Sequence, residues 1–419
     1  MNHLAWIGNP PKHWRVVKLR QILRPFSEKN HPELPLLSVV REKGVIVRNV
    51  EDKEENHNYV PEDLSGYKRV KRGQFAMNKM KAWQGSYGVS KYDGIVSPAY
   101  FVFDINYDIN HDFFNAAIRS KAYVSYFGQA SDGIRVGQWD LSMQRMKEIP
   151  FLVPPRDEQE QIVRLLDWKV SAINRLINIK RNQITQIEEL KKAIIHKAVT
   201  KGLHDVPMKN SGISWMGIIP EHWEVEKIKR HFYIENGSDP SLPGDIPVYG
   251  SGDSSFKRCG EYKNGPTVLL GRKGATLNIP HYIEGKYWNV DTAFNVVAKS
   301  ECQVFMKFFY YLAGMFDYNF YIKQTTLPSM KQSDYGNMRI AIPPQAEQKQ
   351  ILVYIEKQNE NLEKAIAYIN AFVKSLTDLK ARLISDVVTG KIDVRGVEVP
   401  EYETVEEEAG ADMDEEACE

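Results

Sequence analysis

Cysteine is nearly missing from this chain of 419 residues. The three present, Cys259, Cys302 and Cys418, stand far apart, with none of the paired spacings of a zinc site or a disulfide framework. No apolar run reaches the length of a membrane span and no secretory leader opens the chain, so the sequence points to the cytoplasm. Catalytic signatures are missing too. Asn9, Pro10 and Pro11 imitate the Asn-Pro-Pro-aromatic loop of amino-methyltransferases, but Lys12 takes the aromatic place and no glycine-rich strand-to-helix turn follows. The stretch from Gly265 to Gly274 approaches a phosphate loop without its spacing, and without the Ser or Thr that should follow Lys273. Glu284-Gly285-Lys286 is half of a metal-nuclease pattern with no convincing Pro-Asp pair ahead of it. The histidines form no H-E-x-x-H zinc helix, and His13 and His222 read as packing residues of a repeated tryptophan motif. The sequence declares no enzyme.

Basic residues are absent from the last nineteen positions, Glu401 to Glu419, which hold ten acids. Removing those ten from the 54 Asp and Glu leaves 44 against 55 Lys and Arg, so a net charge of +1 hides a body at +11. A body of that charge suits a polyanion, and the acidic stretch from 393 onward reads as a disordered, solvating tail.

Glycine and proline are absent from Arg156 to Lys201, and no proline falls between Gln345 and Gly390. Both stretches read as helices of about 66 Å at 1.5 Å per residue, longer than a compact domain requires. Leu166, Ile173, Ile187 and Ile194 stand at heptad positions in the first, with Lys180 interrupting and Leu176 and Leu190 three residues behind two of them. Ile355, Leu362, Ile369, Leu376 and Leu383 keep the heptad in the second, widened by Ala365, Phe372 and Leu379. Matching seams of this kind form a coiled coil.

The chain is a tandem duplication. Trp6, Gly8, Pro11, His13, Trp14 and Lys18 return 209 positions later as Trp215, Gly217, Pro220, His222, Trp223 and Lys227. Pro154, Pro155, Glu158, Gln159, Gln161 and Ile162 return 189 positions later as Pro343, Pro344, Glu347, Gln348, Gln350 and Ile351. Leu190, Lys191, Val199 and Thr200 keep the offset of 189 to Leu379, Lys380, Val388 and Thr389. Length therefore varies inside the globular parts and not in the helices. Each copy reads as a small α+β domain with a curled, mostly antiparallel sheet, a proline pair, and a long helix. Strands are expected at Gly44–Val47, Tyr100–Phe103, Pro266–Leu270 and Phe294–Val297, and helices at Phe113–Phe127 and Val304–Met315. Only twelve residues, Lys201 to Gly212, join the first helix to the second domain, which favours an antiparallel helix pair. The segments are 1–153, 154–203, 204–342, 343–392 and 393–419.

Cations interleaved with polar and aromatic residues mark the loops. The first domain offers Lys68, Arg69, Lys71, Arg72, Lys79, Lys81, Trp83, Gln84, Ser86, Tyr87, Arg135, Gln138 and Trp139. The second offers Lys257, Arg258, Arg272, Lys273, Thr276, Lys323, Gln324, Thr325 and Lys331. Arg and Lys serve phosphates, and Arg, Lys, Gln and Asn reach base edges in the major groove.

As a set, these motifs resemble one family, the specificity subunits of type I restriction–modification enzymes. The residues that carry the resemblance are Trp6 to Trp14 with Trp215 to Trp223, Pro154 to Ile162 with Pro343 to Ile351, and the helix exits Thr200 to Leu203 and Thr389 to Ile392. The resemblance implies a non-catalytic reader of double-stranded DNA whose two target-recognition domains each read half of a split, asymmetric site. It implies an antiparallel coiled coil with pseudo-twofold symmetry that sets the unread gap and docks two methyltransferase subunits, which a restriction subunit can join. No cofactor is expected on this chain, S-adenosylmethionine belonging to the methyltransferase subunits. The alternative is a non-enzymatic coiled-coil scaffold carrying two protein-binding modules, which salt-dependent affinity for duplex DNA would separate from a reader.

Overall fold

The computed structural model describes residues 10–48, 61, 63–135, 138–252, 254–318 and 328–408. Two compact units divide the chain, residues 1–182 with 369–419 and residues 183–368. The division cuts across both long helices, Arg156–Lys201 and Gln345–Val388. Each unit thus owns one globular domain, part of one helix and the complementary part of the other.

In the first unit a four-stranded antiparallel sheet runs in the order Leu23–Phe26, Tyr100–Ile105, Phe75–Asn78, Tyr87–Val89. Side chains alternate across a strand, so Phe75 and Met77 join one core cluster while Ala76 joins another. Helices His111–Ile118 and Lys121–Gln129 cover the Phe75 side with Phe113, Phe114 and Phe127. The Ala76 side packs on the hairpin Leu37–Val40 with Gly44–Val47, and on Lys68–Val70 paired with Gly94–Val96. The single helix expected over Phe113–Phe127 is broken at Arg119 and Ser120, where the Arg119 guanidinium donates to the carbonyls of Arg41 and Glu42.

The second unit repeats this frame. Phe232–Asn236, Ala293–Ala298, Thr267–Gly271 and His281–Ile283 form an antiparallel sheet in the same order of connection. Helix Met306–Ala313 covers one face with Phe308, Phe309 and Leu312, and Leu269, Ala293 and Tyr287 pack beneath the other. A second sheet, absent from the sequence reading, contains one parallel pair, Ile246–Tyr249 with Lys286–Asn289.

Each domain is closed by pairing a strand near its start with its last strand. Arg15–Lys18 runs antiparallel to Pro150–Val153, and Glu224–Lys227 to Arg339–Ile342. The proline pair follows at once, and the helix begins at Arg156 or Gln345 because a proline suits a helix start and blocks helix behind it. Short helices at Leu19–Ile22 and Ile228–His231 also match between copies, and are too brief for periodicity to reveal.

The long helices form an antiparallel coiled coil. In the first unit Ile173 and Ile177 pack on Leu376 with Val373 and Leu383 beside them, and in the second Lys191 pairs with Glu363 at 2.8 Å. Leu166 and Ile355 are buried in the cores of their domains, while Ile187, Ile194, Leu362 and Ile369 are half-buried. The heptad reading misplaces four residues. Leu176, Leu190, Phe372 and Leu379 are exposed, whereas Ile177 is fully buried, because 3.6 residues per turn drifts away from a 3.5-residue pattern. Lys180 does not leave a gap, since its ammonium lies 5.6 Å from the Phe372 ring centroid. No helix among the described residues is long and apolar enough to cross a membrane.

The tail corrects a second expectation. Residues 393–408 are docked along the first unit, with Val394 buried in its core and the Gln161 amide donating to the Val397 carbonyl at 2.5 Å. Composition suggested disorder, but apolar Val394, Val397 and Val399 anchor the segment before the acids begin. Residues 409–419 lie outside the described residues.

Leu376→Asp places a charge in the buried part of the seam, and unfolding of the full chain in urea should show a loss of about 3–4 kcal/mol. Leu379→Asp, one turn away on the exposed side, should change stability by less than about 0.5 kcal/mol.

Candidate nucleic-acid interface

The joint between domain and helix is built twice with the same atoms. In the first unit the Trp14 indole N–H donates to Glu158 Oε1 at 3.0 Å, and His13 Nε2 lies 2.7 Å from Glu158 Oε2. In the second the Trp223 indole N–H reaches both Glu347 oxygens at 3.2 Å, and His222 Nε2 lies 2.8 Å from Glu347 Oε2. The glutamine that follows each glutamate ties the helix start to the domain. Gln159 donates to the Pro154 carbonyl and accepts from the Asn110 amide, and Gln348 donates to the Pro343 and Gln303 carbonyls and accepts from the Phe305 amide. His13 and His222 are therefore half-exposed hydrogen-bonding partners of a carboxylate, not packing residues.

The helix exits complete this joint. Thr200 and Thr389 each return a hydroxyl to the carbonyl four residues back. Gly202 and Gly390 then turn the chain with φ of +69° and +74°, a conformation that favours glycine. A Cβ on Gly390 would stand 2.4 Å from Pro11 Cδ and 3.2 Å from the Trp14 ring, and one on Gly202 would stand 2.8 Å from Glu347 Oε1 and 3.3 Å from the Trp223 ring. Each tryptophan thus sits between the start of its own helix and the exit of the other copy's helix.

The predicted contact residues fall into distinct environments. Tyr87 is fully buried against Phe127 and Phe75, which pushes its hydroxyl far above the usual tyrosine range, and Ser86 is buried beside it; both belong to the core and offer no surface. Lys68 donates to the Tyr100 carbonyl at 2.6 Å. Arg69 and Lys71 share Glu28 at 2.7 and 2.9 Å, and their hydrogen bonds hold its carboxyl down at about 2, so that cluster stays ionised through the neutral range. Arg72, by contrast, stands exposed on the turn between Lys68–Val70 and Phe75–Asn78 and makes no ion pair among the described residues. Lys79 pairs with Asp140 at 3.2 Å, and Trp83 stacks on Trp139 with centroids 5.6 Å apart, next to Lys81 and Gln84. Arg135 and Gln138 face each other across a hairpin, and their side chains lie outside what is described.

In the second unit Lys257 and Arg258 lie exposed on the strand Ser255–Cys259, with Arg258 donating to the Asp245 carbonyl. Lys273 and Arg272 lie 3.5 and 4.0 Å from the Asp291 carboxylate, so part of their charge is already answered within the domain. Thr276 is half-buried on the same turn, and Lys331 is exposed at the start of helix Gln332–Asn337. Lys323, Gln324 and Thr325 lie outside the described residues. Among the described residues no cluster of His, Cys, Asp and Glu could hold a metal ion.

The profile of the type I restriction modification DNA specificity domain matches residues 220–369. That stretch, about a third of the chain, is similar to the specificity domain of type I restriction–modification systems. A putative type I restriction enzyme MjaX specificity subunit of Methanocaldococcus jannaschii is 32% identical over 107 residues, 25% of this chain and 24% of the relative. The MjaVIII specificity subunit of the same organism is 32% identical over 117 residues, 28% of this chain and 26% of the relative. Both matches thus span about a quarter of the curated relatives. The fold likeness reaches further. A chain from a solved type I R-M system, described for its complex assembly and conformational transition, superposes with a TM-score of 0.63 over 92% of this chain and 100% of its own, at 13% identity.

The joint between domain and helix yields a stability prediction. Glu347→Ala strands the buried Trp223 N–H and should lower the unfolding free energy of the second unit by about 2 kcal/mol, while Glu347→Gln, which keeps an acceptor, should cost less than about 1 kcal/mol. Urea unfolding followed by tryptophan fluorescence on the full chain checks both.

Proposed function

We propose that this chain is the DNA sequence-recognition subunit of a type I restriction–modification complex. Each globular domain reads one half of a bipartite, asymmetric duplex site, and the chain itself performs no catalysis. The observation that carries this reading is the duplicated joint: two domains of equal sheet order, held to paired helices by the same carboxylate, tryptophan and glutamine. A fixed joint between each domain and its helix suits a reader of a split site, because a recognition surface that shifts on its mount loses its register on the duplex. Exposed cations such as Arg72, Lys257 and Lys331 supply phosphate contacts, and the half-buried Trp83, Gln84 and Thr276 are candidates for contacts to the bases.

The helices would carry the partners. Leu176, Ile179, Phe372 and Leu379 in the first unit, and Leu190 in the second, are exposed apolar residues outside the seam, side chains that fit contact with the helices of two methyltransferase subunits, with restriction subunits joining through them. S-adenosylmethionine would bind on the methyltransferase subunits and not on this chain.

Affinity for duplex DNA, measured by anisotropy on the chain with its methyltransferase partner, should fall steeply as salt rises. Arg72→Ala should reduce the slope against log salt by about one and weaken binding to all sequences about equally. A methylome from cells expressing the pair should show one split adenine motif that depends on this chain. A salt-independent affinity, or a methylome without such a motif, would overturn the reading in favour of a protein scaffold.

A further inference from the structure

Three polar side chains on the first long helix are buried where the seam does not use them. Ser171, Asn174 and Asn178 are 4%, 6% and 8% exposed and recur about one turn apart along the helix. Groups buried to this degree require hydrogen-bond partners. Those partners are main-chain atoms of the acidic tail. The Val405 amide donates to Ser171 Oγ at 3.2 Å, the Asn174 amide donates to the Val405 carbonyl at 2.9 Å, and the Asn178 amide donates to the Glu406 carbonyl at 3.0 Å. The Glu408 amide returns a bond to Asn178 Oδ1 at 3.1 Å, so Asn178 reads two peptide groups of an extended chain.

Charge selection is separate from this backbone reading. Arg175 pairs with Glu403 at 3.2 Å, and Arg181 pairs with Glu407 at 2.9 Å. Lys380, from the second helix, also pairs with Glu407 and donates to Asn174 Oδ1 at 3.2 Å. Burial works against the charged form of Glu407, yet Lys380 and Arg181 hold its carboxyl below the usual range. The groove exists in one copy only: at the offset of 189, helix two has Glu360, Glu363 and Ala367 in place of Ser171, Asn174 and Asn178. Contacts from 403 to 408 are polar and ionic, with the Arg175–Glu403 pair largely exposed, so their strength falls with salt.

We infer that this face is a binding site for an extended acidic peptide with carboxylates four residues apart, filled in cis by residues 403–408 as a detachable strap, and free to take such a segment from another protein when the strap leaves. DNA recognition plays no part in this inference, and its test uses no DNA.

The probe is a fluorescent synthetic peptide of residues 401–408, offered to the full-length chain. Wild type should bind it weakly, because the site is occupied. The Glu403→Lys/Glu407→Lys variant, whose own tail is repelled by Arg175, Arg181 and Lys380, should bind it at least tenfold more tightly and lose it as salt rises. Adding Asn178→Leu, or Arg181→Ala if the leucine disturbs folding, should abolish that gain. Hydrogen exchange gives a second readout: the Val405 and Glu408 amides should be protected in wild type and exchange freely in the charge-reversed variant. Equal peptide affinity in wild type and the charge-reversed variant, or protection that survives charge reversal, would overturn the proposal.

Discussion

The structure depends on a carboxylate largely shielded from water at the start of each long helix. Glu158 and Glu347 sit at the start of the two long helices, each receiving a tryptophan N–H and facing a histidine. A poorly solvated carboxylate is costly unless every available donor is supplied. Each indole N–H is buried in its domain and donates to this carboxylate, which the histidine ring nitrogen also approaches. That mutual need locks the angle between domain and helix. The glutamine that follows converts the lock into a seam by binding the loop ahead of the helix and the carbonyl of the first proline.

From this joint the rest of the architecture follows by packing. The strand pairs Arg15–Lys18 with Pro150–Val153 and Glu224–Lys227 with Arg339–Ile342 lead directly into it, so a displacement of the helix pulls on the closing strand of its domain. The exit glycine of the other helix closes over the same tryptophan, which leaves room for no side chain. Two domains held in this way are positioned by side chains of both repeats. Loops between strands can then vary in length without disturbing the mount, which accounts for the shift in repeat offset occurring inside the domains.

Much of this was legible before any coordinates. The offsets of 209 and 189 placed the duplication, the proline pairs placed the helix starts, and the heptads found Ile173, Ile355 and Leu376. The candidate interface was less legible. Arg72 stayed a surface cation, whereas Tyr87, two positions from Gly85 in a turn-like run, proved to be core. The ion pairs of Arg69, Lys71 and Lys273 were invisible because Glu28 and Asp291 are distant in sequence and their approach depends on sheet register. The Glu158 and Glu347 clasps could have been suspected, since tryptophan, histidine, glutamate and glutamine repeat together; nothing in the spacing said that they touch.

The sequence by itself determined the repeat, the two long helices and their antiparallel sense, since these rest on local periodicity, chain breaks and the reach of a twelve-residue linker. Only the tertiary structure decided which polar residues became partners. Asn174 and Asn178 look like ordinary helix-surface residues, and residues 403–408 look like a solvated acidic run. Their pairing needs the tail to return across more than two hundred positions, and a contact of that separation is set by how the core folds, not by any local preference.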